Sequence, residues 1–338
     1  MASASSPSIA DDAFATFVAG DGPHACAAAV LGLHLQALQP SVPRIALTRN
    51  ISRESKAILA DGGWREMQLP EAHNEQASQL KLATAKLALW AASYRRLLYF
   101  DADHPPVGWR TEAQRQLRAS RLHQLWALAE LKPGENRSTK VLALQDTPPP
   151  RRCFNSGLLL LHPDLAMHRL LMHWLHVPPA TSDLARCNHA AKGTDQPLLN
   201  LVFPQWTDIS GIWRFGSLWK CPPPSSDTDS FHFFWGTRPW EARVQCVGPR
   251  QVHGGRVCMP LAARAAARAE NSSSCCTVRW THNKRSPAHL SAARTRALKI
   301  SACVATIAEL HQLWLIHFNQ LPAVTRHSCL ERFKPLGT

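Results

Sequence analysis

Two carboxylates, Asp101 and Asp103, close the apolar run Leu97-Leu98-Tyr99-Phe100. Side chains two apart on a strand point the same way, so at a strand end both can face one point. Carboxylate oxygens are hard ligands suited to Mg²⁺ or Mn²⁺, ions that keep coordination sites for phosphates. The pair suggests a cation held for a diphosphate, although a solvated Asp-x-Asp at a strand end is common. Further polar groups follow downstream. Asn155-Ser156-Gly157 precedes the run Leu158 to Leu161, and Asp195-Gln196 opens the stretch Pro197-Leu198-Leu199. Asp195 could serve chemistry, cap a helix, or do both. His232 sits beside Phe231, Phe233 and Phe234, a setting in which histidine is more often packed than ligating. Lys86 precedes the carboxylate strand, either as a cation near the site or as a solvated helical lysine.

The elements needed to position these groups follow from patterning. Phe14 to Ala19 reads as a strand closed by the turn cluster Gly20-Asp21-Gly22-Pro23, and Ala25 to Leu38 as a helix. Arg44 to Thr48 is a second strand. Ser52 to Asp61 is a helix with a Ser cap, stopped by Gly62-Gly63. Trp64 to Leu69 gives a third strand, Leu80 to Ser93 a helix, and Arg96 to Phe100 a fourth strand. This alternation predicts an α/β fold, a mostly parallel sheet flanked by helices, with ligands at the carboxyl ends of its strands. The stretch from His104 to Lys140 breaks the pattern and reads as one or two amphipathic helices. Helices are predicted from Pro163 to His176 and from Asp195 to Phe203, and a buried strand over Phe231 to Gly236. Beyond Val252 the chain is Ala/Arg- and Ser-rich, a composition that predicts disorder, with an amphipathic helix over 297–318.

The 338 residues carry a net charge of +14. From Glu241 onward there are 14 Lys/Arg against 4 Asp/Glu, so ten of those charges belong to the tail. That tail lacks the basic–aromatic interleaving of a single-strand nucleic-acid binder, so no nucleic-acid partner is expected. The opening Met1 to Pro7 has neither a basic nor an apolar region, and no apolar run is long enough to span a membrane. The expectation is a cytoplasmic protein, or a Golgi one if an N-terminal segment is missing. The ten cysteines form no C-x-x-C pair or zinc spacing, and reduced thiols are expected.

Four segments in order resemble glycosyltransferase family 8, the group of glycogenin and galactinol synthases. They are Tyr99-Phe100-Asp101-Ala102-Asp103, Phe154-Asn155-Ser156-Gly157, Gly193-Thr194-Asp195-Gln196-Pro197-Leu198-Leu199-Asn200, and His232-Phe233-Phe234-Trp235-Gly236-Thr237-Arg238-Pro239-Trp240. The resemblance implies a GT-A fold with a single Rossmann-like sheet over residues 11–248, an atypical segment at 104–140, and a tail at 249–338. It implies a retaining hexosyltransferase that uses a UDP-sugar and Mn²⁺ (or Mg²⁺). On this reading Asp101, Asp103 and His232 hold the metal. Ala19, Gly20, Asp21 and His24 line the uridine pocket, and Lys86, Ala102, Asn155 and Arg238 contact the donor. Asp195 and Gln196 lie around the transferred sugar as the catalytic pair.

The departures from the family pattern are specific. Arg238 replaces a usual lysine, and Lys192 stands where an acidic residue is frequent. The only tyrosines, Tyr94 and Tyr99, lie at the carboxylate strand, so no self-glycosylated tyrosine is expected downstream. The acceptor is then a separate carbohydrate, polyol or lipid hydroxyl, and the chain a monomer or homodimer. The alternative is a catalytically impaired UDP-sugar-binding pseudoenzyme.

Overall fold

The computed structural model describes residues 10–69, 85–147, 152–176, 187, 195–217, 228–232, 243–247, 275–279 and 314–333. The chain forms two compact units, one of Met1–His104 with Gln116–Trp213 and the other of Pro105–Arg115 with Arg214–Thr338.

The first unit is built on β1 (Ala10–Ala19), β2 (Arg44–Arg49), β3 (Arg65–Gln68), β4 (Tyr94–Phe100), β5 (Val141–Thr147), β6 (Cys153–Leu161) and β7 (Thr207–Asp208). They form one sheet in the order β3-β2-β1-β4-β6-β5-β7. β1, β2, β3 and β4 run parallel, β6 runs antiparallel to both β4 and β5, and β7 runs parallel to β5. The helices are α1 (His24–Leu38), α2 (Arg53–Asp61), α3 (Glu112–Leu128), α4 (Leu165–His176) and α5 (Asp195–Val202). The expected α/β architecture with a mostly parallel sheet is therefore present.

The middle of β1 and most of β4 are buried, and their mainly apolar runs, Phe14 to Ala19 and Leu97 to Phe100, fall in or next to those parts. Phe14, Leu97, Leu98 and Phe100 are wholly inaccessible to solvent. Chain order reverses about β1, with β2 on one side and β4 on the other. The crevice at their carboxyl ends is thus a topological switch point, where open α/β sheets bind ligands. α1 lies close to the turn after α2 because two positions lack side chains. A Cβ at Gly32 would sit 2.1 Å from the Gly62 carbonyl oxygen, and one at Gly62 2.5 Å from Ala29 Cα. Ser52 caps α2 by accepting from the Ser55 amide, as expected.

The helix predicted from Leu80 to Ser93 lies partly outside the described residues; residues 85–87 are α-helical and run into a 3-10 turn, Ala88–Ala91, which buries Leu89 and Trp90. One expectation needs correction, that of reduced thiols. Cys153 and Cys187 form a disulfide with a Cα–Cα distance of 5.8 Å, and no described cysteine is free. Spacing along the chain could not reveal a pair separated by 34 residues. The stretch after His104 holds one α-helix, α3, which buries Arg118, Leu122, Leu125 and Trp126, and a 3-10 turn, Arg137–Thr139.

In the second unit, β8 (Phe215–Ser217) pairs in parallel with β9 (Ser230–His232), and Pro106 bridges to Ser230. The strand expected over Phe231 to Gly236 is described only as far as His232. β10 (Arg243–Val247) and β11 (Cys275–Arg279) form an antiparallel pair. Helix α6 (Ala323–Arg332) follows a helical turn at 314–318, and Trp314 and Phe318 stack with ring centroids 5.2 Å apart. Residues 252–274 and 280–313, where disorder and most of the last helix were expected, lie outside the described residues. No described helix is long and apolar enough to cross a membrane.

Candidate active site

The site is organised by an interruption in β6. Ala143 of β5 pairs with Leu159, yet the next residue, Leu144, pairs with Asn155. Ser156, Gly157 and Leu158 therefore have no counterpart on β5, a bulge of the kind that re-aims backbone and side chains beside functional sites. The released backbone is put to use. The Gly157 carbonyl accepts from the Asp101 amide at 2.8 Å, and the Ser156 carbonyl accepts from Lys86 Nζ at 3.0 Å. The Ser156 amide donates to Gln196 Oε1 at 3.2 Å. A side chain at position 157 would meet Asn155 Oδ1 at 2.8 Å, Asp101 Oδ2 at 3.1 Å and His104 Nδ1 at 3.1 Å. Only glycine leaves these three groups where they are.

Lys86 is the electrostatic centre. Its ammonium lies 3.1 Å from Asp101 Oδ1 and 3.0 Å from Asp195 Oδ2, and 4.9 Å from the centroid of the Tyr99 ring. Burial pushes its pKa down, but the charges and hydrogen bonds of Asp101 and Asp195 outweigh this and hold it above the ordinary lysine value. Lys86 is thus a fixed cation, and the reading of it as a solvated helical lysine is excluded. The Tyr99 hydroxyl donates to Asp101 Oδ1. Burial first, and then the carboxylates of Asp101, Asp195 and Asp103, push the Tyr99 pKa well up, so the hydroxyl stays protonated.

Asp195 is the first residue of α5, where a carboxylate complements the helix dipole. Gln196 is held at both ends of its amide, accepting from Ser156 and donating to Asp146 Oδ2 at 3.1 Å. One turn on, Asn200 accepts from the Phe154 amide and donates to the Phe154 carbonyl, binding α5 to β6. Asn155 is buried and accepts from the Gly157 amide at 2.8 Å.

At the other expected end, Ala19 closes β1, and Gly20 takes a positive φ of 65° while donating to the Arg49 carbonyl. Asp21 is exposed, and its Oδ1 accepts from the Ser52 amide at 2.6 Å and the Ser55 hydroxyl at 2.7 Å. One of its oxygens is thereby committed to fastening α2. His24 begins α1. The structure thus joins Lys86, Asp101, Asn155, Asp195 and Gln196 through direct bonds and the β6 bulge. Asp103 and Ala102 continue from the same strand end, with Ala102 buried and Asp103 partly so. His232 belongs to the second unit, where its backbone ends β9. Arg238 and Lys192 lie outside the described residues.

The donor set suits a hard dication in part. The carboxylates of Asp101 and Asp195 share the Lys86 ammonium, and the Asp103 carboxylate acts on the same Tyr99 hydroxyl that they do. Asp195 Oδ2 is buried, with Lys86 Nζ as its ion-pair partner at 3.0 Å. Among the described residues, no three His, Cys, Asp or Glu side chains form a metal-holding group. Two carboxylates at the β4 end are what the described chain supplies.

Four contributors escaped the sequence reading: Tyr99, Ser156, Asp146 and Asn200. Asp146 carried a usable signal, since it too follows an apolar strand, Val141 to Leu144. Asn200, four residues after Gln196, has the spacing of one helical face. Ser156 acts largely through backbone, which no residue type reveals.

No family model matches the chain, and no curated protein matches it by sequence. Among solved structures it is similar to the galactosyltransferase LgtC in complex with donor and acceptor sugar analogs, at 16% identity and a TM-score of 0.45, covering 67% of this chain and 89% of that one. It is similar to the glycosyltransferase GlyE of Streptococcus pneumoniae at 16% identity and a TM-score of 0.44, covering 68% of this chain and 56% of that one. Mouse xyloside xylosyltransferase 1 is similar at 14% identity and a TM-score of 0.37, covering 62% and 88%.

Proposed function

We propose that the chain is a GT-A glycosyltransferase that moves a hexosyl group, with retention, from a UDP-sugar to a separate hydroxyl acceptor. The observation carrying this reading is the Lys86 bridge. One buried ammonium ties the Asp-x-Asp strand end to the first residue of the Asp-Gln helix, so that a cation-binding end and a sugar-binding end share one rigid centre. Asp101 and Asp103 would hold Mn²⁺ or Mg²⁺ there. When bound, such an ion supplies charge stabilisation for the departing diphosphate.

The residues themselves argue against a covalent intermediate. Asp195 is ion-paired to Lys86, and both ends of the Gln196 amide are hydrogen-bonded. The Gln196 amide, held at both ends, is neutral and weakly basic, a poor nucleophile. Same-face attack follows. The bond from the anomeric carbon to the phosphate oxygen breaks, the bond from that carbon to the acceptor oxygen forms, and the acceptor proton passes to a diphosphate oxygen. Asp195 and Asn155 hold sugar hydroxyls, Gln196 fixes the opposite face, and Lys86 stays protonated and orients Asp101 and Asp195. The protein's contribution is position and charge.

Calorimetric titration of UDP into the purified chain, with and without Mn²⁺, tests the reading. Binding is expected to need Mn²⁺ and to be lost in Asp103→Asn. Binding that ignores both, or no binding to a folded chain, would sink it.

A further inference from the structure

Cys153, fully buried, is the first residue of β6, three positions before Ser156. Cys187, 7% exposed, stands eight positions before Asp195. Their disulfide therefore joins the two stretches whose ends meet at the Ser156–Gln196 hydrogen bond. The leading end of β6 needs such a tie. Its register against β5 shifts twice, between Ala143 and Leu144 and again between Gln145 and Thr147. Register is weakly specified where a ladder is interrupted. Beyond the bulge, β6 has Leu144, Gln145 and Thr147 as strand partners, the Asn200 amide on Phe154, and the disulfide. The nucleotide end, Gly20–Asp21 with Ser52, rests on β1 and α2 and takes no part in this arrangement.

We propose that the Cys153–Cys187 disulfide is a positioning pair for the sugar end of the site, holding Asn155, Ser156, Asp195 and Gln196 in register while leaving the nucleotide end independent of it. The proposal rests on the transferase reading for its effect on turnover. Forming the bond removes two protons and two electrons from the thiols. A small disulfide of the glutathione class accepts them and leaves as two thiols, so atoms and electrons balance.

The test compares the full chain with the double variant Cys153→Ala/Cys187→Ala, because a reductant would also open the bonds at Cys26 and Cys329. Alkylation of the denatured, unreduced wild type, read by peptide mass, should leave Cys153 and Cys187 unlabelled and linked. In the variant, amide exchange at Ser156 and over α5 should quicken, while exchange over β1 and β2 stays the same. Turnover of the UDP-sugar should fall on the order of ten- to a hundredfold, as for a reacting group displaced by about 1 Å. Mn²⁺-dependent UDP affinity should fall less than turnover does, because Gly20, Asp21 and Ser52 rest on β1 and α2, while Lys86 still passes part of any displacement of Asp195 and Ser156 to Asp101. Two labelled thiols in the wild type, or unchanged exchange at Ser156 and α5, would overturn the proposal. Equal losses in turnover and UDP affinity would overturn it too, since they describe general loosening. Exchange and alkylation need no activity, so a wild type that fails to bind UDP defeats the transferase reading and leaves the positioning pair to be judged on exchange.

Discussion

At the scale of single residues, the site is a problem in charge compensation. Lys86 neutralises part of the charge of Asp101 and Asp195 and satisfies the Ser156 carbonyl. Removing its ammonium leaves two carboxylates without their cation, and breaking a buried pair from one side is costly. Lys86→Met should lower unfolding stability by about 3 kcal/mol, the low end of that range because Asp101 keeps some exposure to water. Urea denaturation measures it, and Mn²⁺ should restore part of the loss in the variant, since a second cation meets the same carboxylates. A variant as stable as the wild type would mean that the bridge is incidental. The odds on Lys86 could not be settled from sequence, because a helical lysine looks the same whether it points to solvent or to a carboxylate. Asp101 and Asp195 are 94 positions apart in the chain, and only the fold shows that one ammonium serves both.

At the scale of elements, the parallel strands were readable because their apolar runs and the turn clusters between them follow local rules, and the Ser52 cap and Gly62 stop follow the same rules. The β6 bulge was not readable. It arises from pairing with a strand on each side, and the local text Phe154-Asn155-Ser156-Gly157 gives residue types without register. Gly157 is where the two levels meet. Gly157→Ala places a methyl against Asn155, Asp101 and His104, and should cost about 1–3 kcal/mol by overpacking. Metal-dependent UDP binding should weaken more than stability alone explains, as titration of folded variant against wild type would reveal. A second element-level prediction concerns the far end of β6. His162 Nε2 bonds to the Ala129 carbonyl, an acceptor, so Nε2 carries the hydrogen, and Nδ1 meets no partner among the described residues. Burial first, and then the nearby cations Arg137, Arg96 and Lys140, hold its pKa below the usual histidine value despite that bond. The unfolded chain therefore takes up the proton first on acidification. Stability should begin to fall below about pH 6.5 and level off once the folded-state value is passed. His162→Gln, which keeps a donor but cannot titrate, should flatten that part of a plot of urea midpoint against pH. An unchanged slope would assign the acid sensitivity elsewhere.

At the scale of the whole molecule, chain order and compact units do not coincide. The second unit takes Pro105–Arg115 from the middle of the chain and Arg214–Thr338 from its end. Composition separates a tail at 249, but the described contacts cross that point. His317 meets the Trp109 ring with centroids 4.7 Å apart, and Trp314, Phe318 and Phe333 cluster beside α6. Residues 249–338 therefore supply both charge and core. Truncation after residue 248 removes ten of the fourteen net positive charges and also uncovers Trp109. Exposing buried aromatic surface forfeits about 25 cal/mol per Å², so the remainder of the second unit should lose its protection. Limited proteolysis is expected to cut near 105–115 and 214–248 in the truncated chain and not in the full one. The sheet of the first unit, whose core of Phe14, Leu97, Phe100 and Leu159 lies wholly within it, should keep its slow-exchanging amides. If the truncated chain resists protease at 105–115 as the full chain does, residues 249–338 are a dispensable basic appendage, and the second unit ends where the composition changes.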